Sequence, residues 1–383
     1  MKTAHSPTIL ILGGGLMGLA IAHQLARRGK TVQVISRRRS EAAGFVAAGM
    51  LAPHAEGLRG DLLELGQTSL KLTPQWVKQI EEDSGLRCGL RTNGIVVPFL
   101  NSDEREAYPT ADQGQRLNRT ELSQELPNLS ARWQTALLFE QDGQIDNRRR
   151  LMRALERACT SLGVSFLEGA NVQHLVQNSQ GELNGVMVQT AEGEQQRLMG
   201  DQAVLCCGAW SRSLLPQLPV FPVKGQMLSL QGPRDAIKRV IFGPGTYMVP
   251  REDGLIVIGA TSEKGAGFSE GLTPDGQKQL QAGIASLVPD ARHWPPMERW
   301  WGFRPCTPDE APLLGSSPIK GLWLATGHHR NGVLLAAITA HLLGDLITGV
   351  NRTVSPGSGR WTQAFHWTRF DRNDIPRDRA STS

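Results

Sequence analysis

The run Gly13-Gly14-Gly15-Leu16-Met17-Gly18 follows the apolar segment Thr8-Ile9-Leu10-Ile11-Leu12 and opens an apolar-periodic stretch from Leu19 to Leu25. A strand, a G-x-G-x-x-G turn and a helix in this order suit the pyrophosphate of a dinucleotide. Gly13 allows the tight turn, Gly15 lets the backbone approach the phosphates, and Gly18 lets the helix pack close to the strand. The helix N-terminus supplies unpaired N–H groups. Thr31 to Ile35 reads as a second strand. At its end an acid usually holds the ribose hydroxyls, but here Ser36 is followed by Arg37, Arg38 and Arg39. A basic residue there can meet the 2′-phosphate of NADP, and a serine can hydrogen-bond a ribose. These fifty residues leave NADP and FAD both open.

His54, His328 and His329 invite assignment as a base or metal ligands. Adjacent histidines do not readily face one ligand, and no H-x-x-x-H spacing is present, so no metal site is expected. The five cysteines, Cys88, Cys159, Cys206, Cys207 and Cys306, show no C-x-x-C spacing and read as reduced thiols.

The surrounding elements alternate in type. Ala47 to His54 is small and apolar, suited to lying against a flat ligand. Leu62 to Glu82 reads as helix interrupted at Pro74, which would start a second helix. Gly94–Phe99 is a strand, and one helix is expected near Arg119–Leu126. Asp146 is a candidate cap for a helix over Arg148–Leu162, with Arg148-Arg149-Arg150 as a solvated first turn. Strands are expected at 164–168, 172–176, 185–190, 196–199, 203–206, 226–230, 247–250 and 255–260. Gly208-Ala209-Trp210 reads as a glycine turn returning the chain to a cofactor. Leu322–Thr326, Gly327-His328-His329-Arg330-Asn331-Gly332 and an apolar helix from Val333 to Ile347 form a second strand–glycine–helix unit. The tail from Asn351 is polar and basic, with Trp361, Phe365, Trp367 and Phe370 suggesting one docked helix or turn.

The chain has 383 residues, a size that favours two domains. A net charge of +5 is spread without a basic, aromatic-interleaved stripe, which argues against nucleic acid. No stretch reaches the roughly 18 apolar residues of a membrane span, and a cytoplasmic location is expected.

Four segments together resemble the amino-acid oxidases of the D-amino-acid oxidase superfamily, most closely the glycine oxidases of thiamine biosynthesis. They are GGGLMG, AAGMLAPHAE at 47–56, TYMVPREDGLIVIGAT at 246–261, and WGFRPCTPDEAPLLG with ATGHHRNGVLLAAIT near the end. The resemblance implies FAD, although an acid in place of Ser36 would be usual. It implies that Tyr247 and Arg304 hold a substrate carboxylate, Arg304 through a bidentate contact. Arg330 would lie at the flavin edge beside the substrate, and no catalytic residue is expected beyond the flavin. Flavin contacts carried over by motif are Gly13, Gly15, Leu16, Met17, Gly18, Ser36, Arg37, Ala43, Gly44, Ala48, Gly49, Met50, Val172, Gly208, and His328 through Leu334, which includes Asn331, Gly332 and Val333. Covalent flavin attachment through Cys306, as in sarcosine-oxidase relatives, is the less favoured option.

The expected fold is α/β plus α+β: a Rossmann-like FAD-binding domain with an inserted, mostly antiparallel-sheet substrate domain. Residues 1–85, 143–217 and 298–349 would form the FAD-binding domain, 86–142 and 218–297 the substrate domain, and 350–383 a tail. The resemblance implies oxidation of glycine and small primary or secondary amino acids by O2, with the imine feeding thiazole synthesis. The main alternative is a dehydrogenase of the same fold serving a quinone or carrier, and a second is a non-catalytic flavoprotein. Self-association is left open.

Overall fold

The computed structural model describes residues 8–349 and 358–370. Its first lobe is built on six strands in the spatial order Leu313–Ser316, Leu322–Thr326, Gln202–Leu205, Ile9–Leu12, Val32–Ser36 and Ser165–Glu168. All neighbours run parallel except the outer pair 313–316 and 322–326. Ile9–Leu12 is buried along its whole length, as its unbroken apolar run requires of a strand covered on both faces. Helices Leu16–Arg27, Gly60–Ser84, Met152–Ser161 and Gly332–Thr348 cover one face through a shared apolar core. A three-stranded antiparallel sheet, Asn171–Gln177, Leu183–Gln189 and Gln195–Leu198, covers the other, packing Val186 and Val188 near Leu10 and Leu12.

The second lobe is an eight-stranded sheet in the order Pro296–Cys306, Phe221–Gln231, Leu255–Gly259, Thr246–Pro250, Val240–Gly243, Ile95–Phe99, Thr135–Phe139 and Gln115–Leu117. Only Val240–Gly243 and Ile95–Phe99 pair parallel. Helix Pro274–Leu287 seals one face with Leu280, Ile284 and Leu287. The opposite face carries Val97, Phe139 and Val249 toward Ala48, Ala52 and Ala55 of the first lobe. The mixed α/β class with a second, mostly antiparallel sheet agrees with the sequence.

Several local expectations are corrected. Gly60–Ser84 is one continuous helix with Pro74 inside it. Leu65, Ser69 and Thr73 before the proline share a buried face with Trp76, Val77 and Ile80 after it, so tertiary packing overrides the break. Of the strands between 164 and 206, Ser165–Glu168 and Gln202–Leu205 belong to the parallel sheet and the other three form the separate antiparallel sheet. Asp146 stands at the N-cap position, its carbonyl accepting from the Arg150 and Leu151 amides, but its side chain makes no capping bond. A π-type turn, Asn147–Leu151, precedes Met152–Ser161, and the Asp146 carboxylate pairs with Arg149 at 2.8 Å. Nor is the arginine run merely solvated. Arg148 meets Glu298, Arg149 meets Asp253 at 2.6 Å, and Arg150 meets Glu252 at 3.5 Å, tying this turn to the second lobe. Pro296–Cys306 spans the position where a boundary between 297 and 298 was expected. In the tail, Trp361 and Phe365 are buried in the helical core, and the Phe365 carbonyl accepts from the Leu314 amide. Among the described residues no helix is long and apolar enough to cross a membrane.

Candidate active site

A cavity of about 740 Å³ runs from the glycine turn of the first lobe to the inner face of the eight-stranded sheet. At the first end, Gly13 has φ +113°, and a Cβ there would sit 2.5 Å from the Cys206 carbonyl oxygen. A Cβ on Gly18 would lie 1.9 Å from the Gly13 carbonyl oxygen, which fixes Gly18 as the packing glycine. Helix Leu16–Arg27 starts at Gly15 with no side-chain cap and no acid in its first turn, so its N-terminal amides face the cavity. Ser36 ends the second strand, buried. The arginines after it are engaged: Arg37 and Arg38 pair with Glu41, and Arg39 with Glu156 and Glu168, both at 2.8 Å. Arg37 also lies over the Trp210 ring, 5.4 Å from its centroid. This turn has its cations balanced by carboxylates, which disfavours a 2′-phosphate site.

At the far end, Phe221–Gln231 and Pro296–Cys306 pair with Gly225 opposite Gly302 and Val223 opposite Arg304. Gly225 leaves the space that the Arg304 guanidinium fills, since a Cβ there would come within 2.4 Å of Nη1. Arg304 Nη1 donates to the Thr261 carbonyl at 3.0 Å. Tyr247 stands opposite Gly259, and its hydroxyl donates to the Met227 sulfur at 3.4 Å. Burial pushes the Tyr247 phenol up to about 12 against the pull of the Arg304 charge, so it stays a neutral donor. Arg330 reaches across the cavity and binds Glu56 through Nε at 2.8 Å. Burial raises the Glu56 pKa, and the charges of Arg330 and then Arg304 oppose the shift. Two guanidiniums against one carboxylate leave this end net positive, suited to a small anion.

His54 lies behind this wall and does not line the cavity. Its Nδ1 meets Asp142 at 2.5 Å and its Nε2 meets Gln67 at 3.0 Å, an arrangement that braces the loop carrying Glu56. His328 turns inward to Thr339 at 3.0 Å, and burial lowers its pKa to about 3. His329 donates its amide to the Pro305 carbonyl at 2.8 Å. Cys306 is buried and does not line the cavity, an arrangement that gives no support to a covalent flavin link.

The structure gathers Gly13, Gly15, Leu16, Met17, Ser36, Arg37, Ala43, Gly44, Ala48, Gly49, Met50, Val172, Gly208, Tyr247, Arg304, His328, His329, Arg330, Gly332 and Val333 on this cavity. Three expected residues lie off it. Gly18 packs against Gly13. Asn331 is buried at the start of the last helix, its carbonyl accepting from the Leu335 amide at 2.9 Å. Leu334 points into the helical core, and its carbonyl accepts from Ser69 at 2.5 Å. Sequence reasoning missed Glu56, Met227 and Thr261 as individual site residues, and it brought Trp210 to the cofactor only as part of a turn. Glu56 closes the segment AAGMLAPHAE, but no spacing marks it off from a surface glutamate.

A parallel sheet with a glycine turn, joined by one cavity to an antiparallel sheet that carries Arg304 while Arg330 comes from the first lobe's last loop, defines a two-lobed dinucleotide-dependent redox protein. Residues 8–346 match the family described as FAD dependent oxidoreductase. The chain belongs to that family, and its cofactor is FAD. It is 41% identical over 361 residues to the bifunctional protein ThiO/ThiG of Synechocystis, a match covering 91% of this chain and 52% of that one. The chain thus spans about half the length of such relatives. It is 31% identical to glycine oxidase of Pseudomonas aeruginosa, over 92% of this chain and 97% of that one. The crystal structure of glycine oxidase from Geobacillus kaustophilus superposes with a TM-score of 0.86 at 28% identity, covering 95% of this chain and 100% of the other.

Proposed function

We propose that the protein oxidises glycine and small primary or secondary amino acids, glycine + O2 + H2O giving glyoxylate + NH3 + H2O2. The observation that carries this reading is the placement of Arg304, Tyr247 and Arg330 at the end of the cavity opposite the glycine turn. The nucleotide end fits FAD. Besides the glycine turn, Gly49 at φ +84° has no room for a Cβ, which would lie 2.0 Å from the Ile145 carbonyl oxygen. Leu16, Met17, Ser36, Arg37, Ala43, Gly44, Ala48, Gly49, Met50, Val172 and Gly208 would hold the cofactor, with the loop from His328 to Val333 closing over it. Bound FAD supplies a two-electron acceptor that oxygen reoxidises.

Arg304 binds the substrate carboxylate through its guanidinium, and the neutral Tyr247 hydroxyl adds a second donor. Glu56 holds Arg330 by Nε and so fixes its direction. With the carboxylate clamped, the Cα–H bond has one orientation, and positioning does the work that a general base would otherwise share. The apolar wall of Met227 and Phe242 excludes water and favours small side chains. The released imine hydrolyses, or supplies a thiazole-forming step in thiamine synthesis. Five unpaired thiols support a reducing, cytoplasmic setting.

The test is a substrate screen that follows anaerobic bleaching of the flavin, then oxygen uptake with peroxide release. Bleaching by glycine and sarcosine with stoichiometric peroxide on admitting air is expected. Bleaching without oxygen uptake would instead favour a carrier-linked dehydrogenase. Acid precipitation should release the FAD into the supernatant, and a yellow pellet would count against non-covalent binding.

A further inference from the structure

Glu310 and His329, on the cavity wall, meet Cys306 buried just behind it; they come from the turn after a strand, the loop before the last helix and the strand's end. Their thiol, carboxylate and imidazole ligand atoms all lie within 4.8 Å of one another. His329 Nδ1 stands 3.6 Å from Glu310 Oε2. Neighbouring ligands on a tetrahedral ion with bonds of about 2.0–2.3 Å are ~3.3–3.8 Å apart, so the group is close to a binding geometry. A second observation is independent of this spacing. The His329 side chain is buried, with the residue 8% exposed, and its Nδ1 has no hydrogen-bond partner. An orphaned buried nitrogen calls for a reason. Moreover, three non-glycine residues among those described have positive φ, and two of them are Glu310 at 59° and His329 at 46°. Backbone held in this region is typical of ligand sites.

We propose that Cys306, Glu310 and His329 bind one thiophilic divalent cation of the Zn2+ class, with a fourth position open to water. Thiolate with imidazole selects such ions over Mg2+ or Ca2+, which take oxygen ligands. Lys264, now 3.0 Å from Glu310 and mostly exposed, swings to solvent as the cation takes its place. The Cys306 thiol, which donates to the Thr307 carbonyl at 3.4 Å, gives its proton to solvent as the metal bond forms. The sequence hides this site because its ligands lie 4 and 19 positions apart on separate turns. Glu310 and His329 line the same cavity as Arg304 and Arg330, but the proposal does not depend on the identity of the amino acid oxidised.

The test uses reduced, chelator-treated holoprotein titrated with Zn2+ by calorimetry and with Co2+ by absorption. One Zn2+ per chain with proton release is expected. Co2+ should add a sulfur-to-metal band and four-coordinate d–d bands to the red of the flavin. Cys306→Ser and His329→Phe should each weaken Zn2+ binding at least about 100-fold, more than loss of an outer-shell partner. Circular dichroism and melting temperature report on their folding, because His329 lines the proposed flavin cavity. Should either fail to fold, Glu310→Gln at a part-exposed position carries the test with the same expectation. Absence of stoichiometric binding below millimolar Zn2+, or binding undiminished in a folded variant, overturns the proposal.

Discussion

On the proposed reading, deleting the Arg304 guanidinium should separate substrate binding from cofactor binding, because the side chain lies at the far end of the cavity from the glycine turn. Arg304→Ala should lose about 2–5 kcal/mol of carboxylate binding, roughly 30- to several-thousand-fold in affinity, with the FAD spectrum kept. Unchanged glycine turnover would remove Arg304 from the clamp. Tyr247→Phe is finer, since Met227 already offers the ring an apolar neighbour. The Michaelis constant should rise by about 1–2 kcal/mol, roughly 5- to 30-fold, with a smaller change in the rate of flavin reduction at saturation. A collapsed saturated rate with unaltered binding would instead make Tyr247 a proton-transfer residue. The place of these two residues on the cavity was legible because each sits in a distinctive segment. Glu56 was not, since its character comes from burial beside Arg330, a relation between positions 274 apart. The opposite holds for His54, whose residue type suggested chemistry while its partners Asp142 and Gln67 make it a brace.

At the scale of elements, periodic apolar segments with glycine ends were readable: Leu322–Thr326 and the helix after it fall where expected. The misses share a cause, which is that distant packing decided them. Pro296–Cys306 reads as polar and aromatic along one half, and its strand character comes from pairing with Phe221–Gln231. Pro274–Leu287 is a helix whose narrow apolar stripe finds its partner only on the eight-stranded sheet. The unbroken Gly60–Ser84 helix gives a test. Pro74 is exposed and forfeits one backbone hydrogen bond, while the faces on either side remain packed. Pro74→Ala should therefore stabilise the protein by about 2 kcal/mol, the helix-interior penalty of proline less its effect on the unfolded chain. A lower melting temperature would show that the proline shapes a bend the packing needs.

Over the whole molecule, the two classes of sheet were foreseeable, but the order of strands was not. Val240–Gly243 lies beside Ile95–Phe99, a pairing that no local pattern announces. Global stability should also carry a histidine signature. Burial lowers His328 to about 3 and His329 to about 4, from an ordinary 6.5. Between about pH 6.5 and pH 4 the unfolded chain binds protons that the folded chain refuses, so stability falls on acidification, by at most ~1.4 kcal/mol per pH unit for each group. Melting temperatures across this range should decline less steeply in His328→Gln, and an identical slope would contradict the assignment. One feature of the cavity bears on how the protein is made. Its walls draw on stretches from Gly13 to Val333, and the strand Leu322–Thr326 and the loop to Gly332 are among the last described parts of the chain. During synthesis the growing polypeptide therefore has no finished seat for its flavin until the segment up to Val333 has left the ribosome. A nascent chain halted before residue 320 should be colourless, and flavin uptake should follow, rather than seed, the folding of the segments before it.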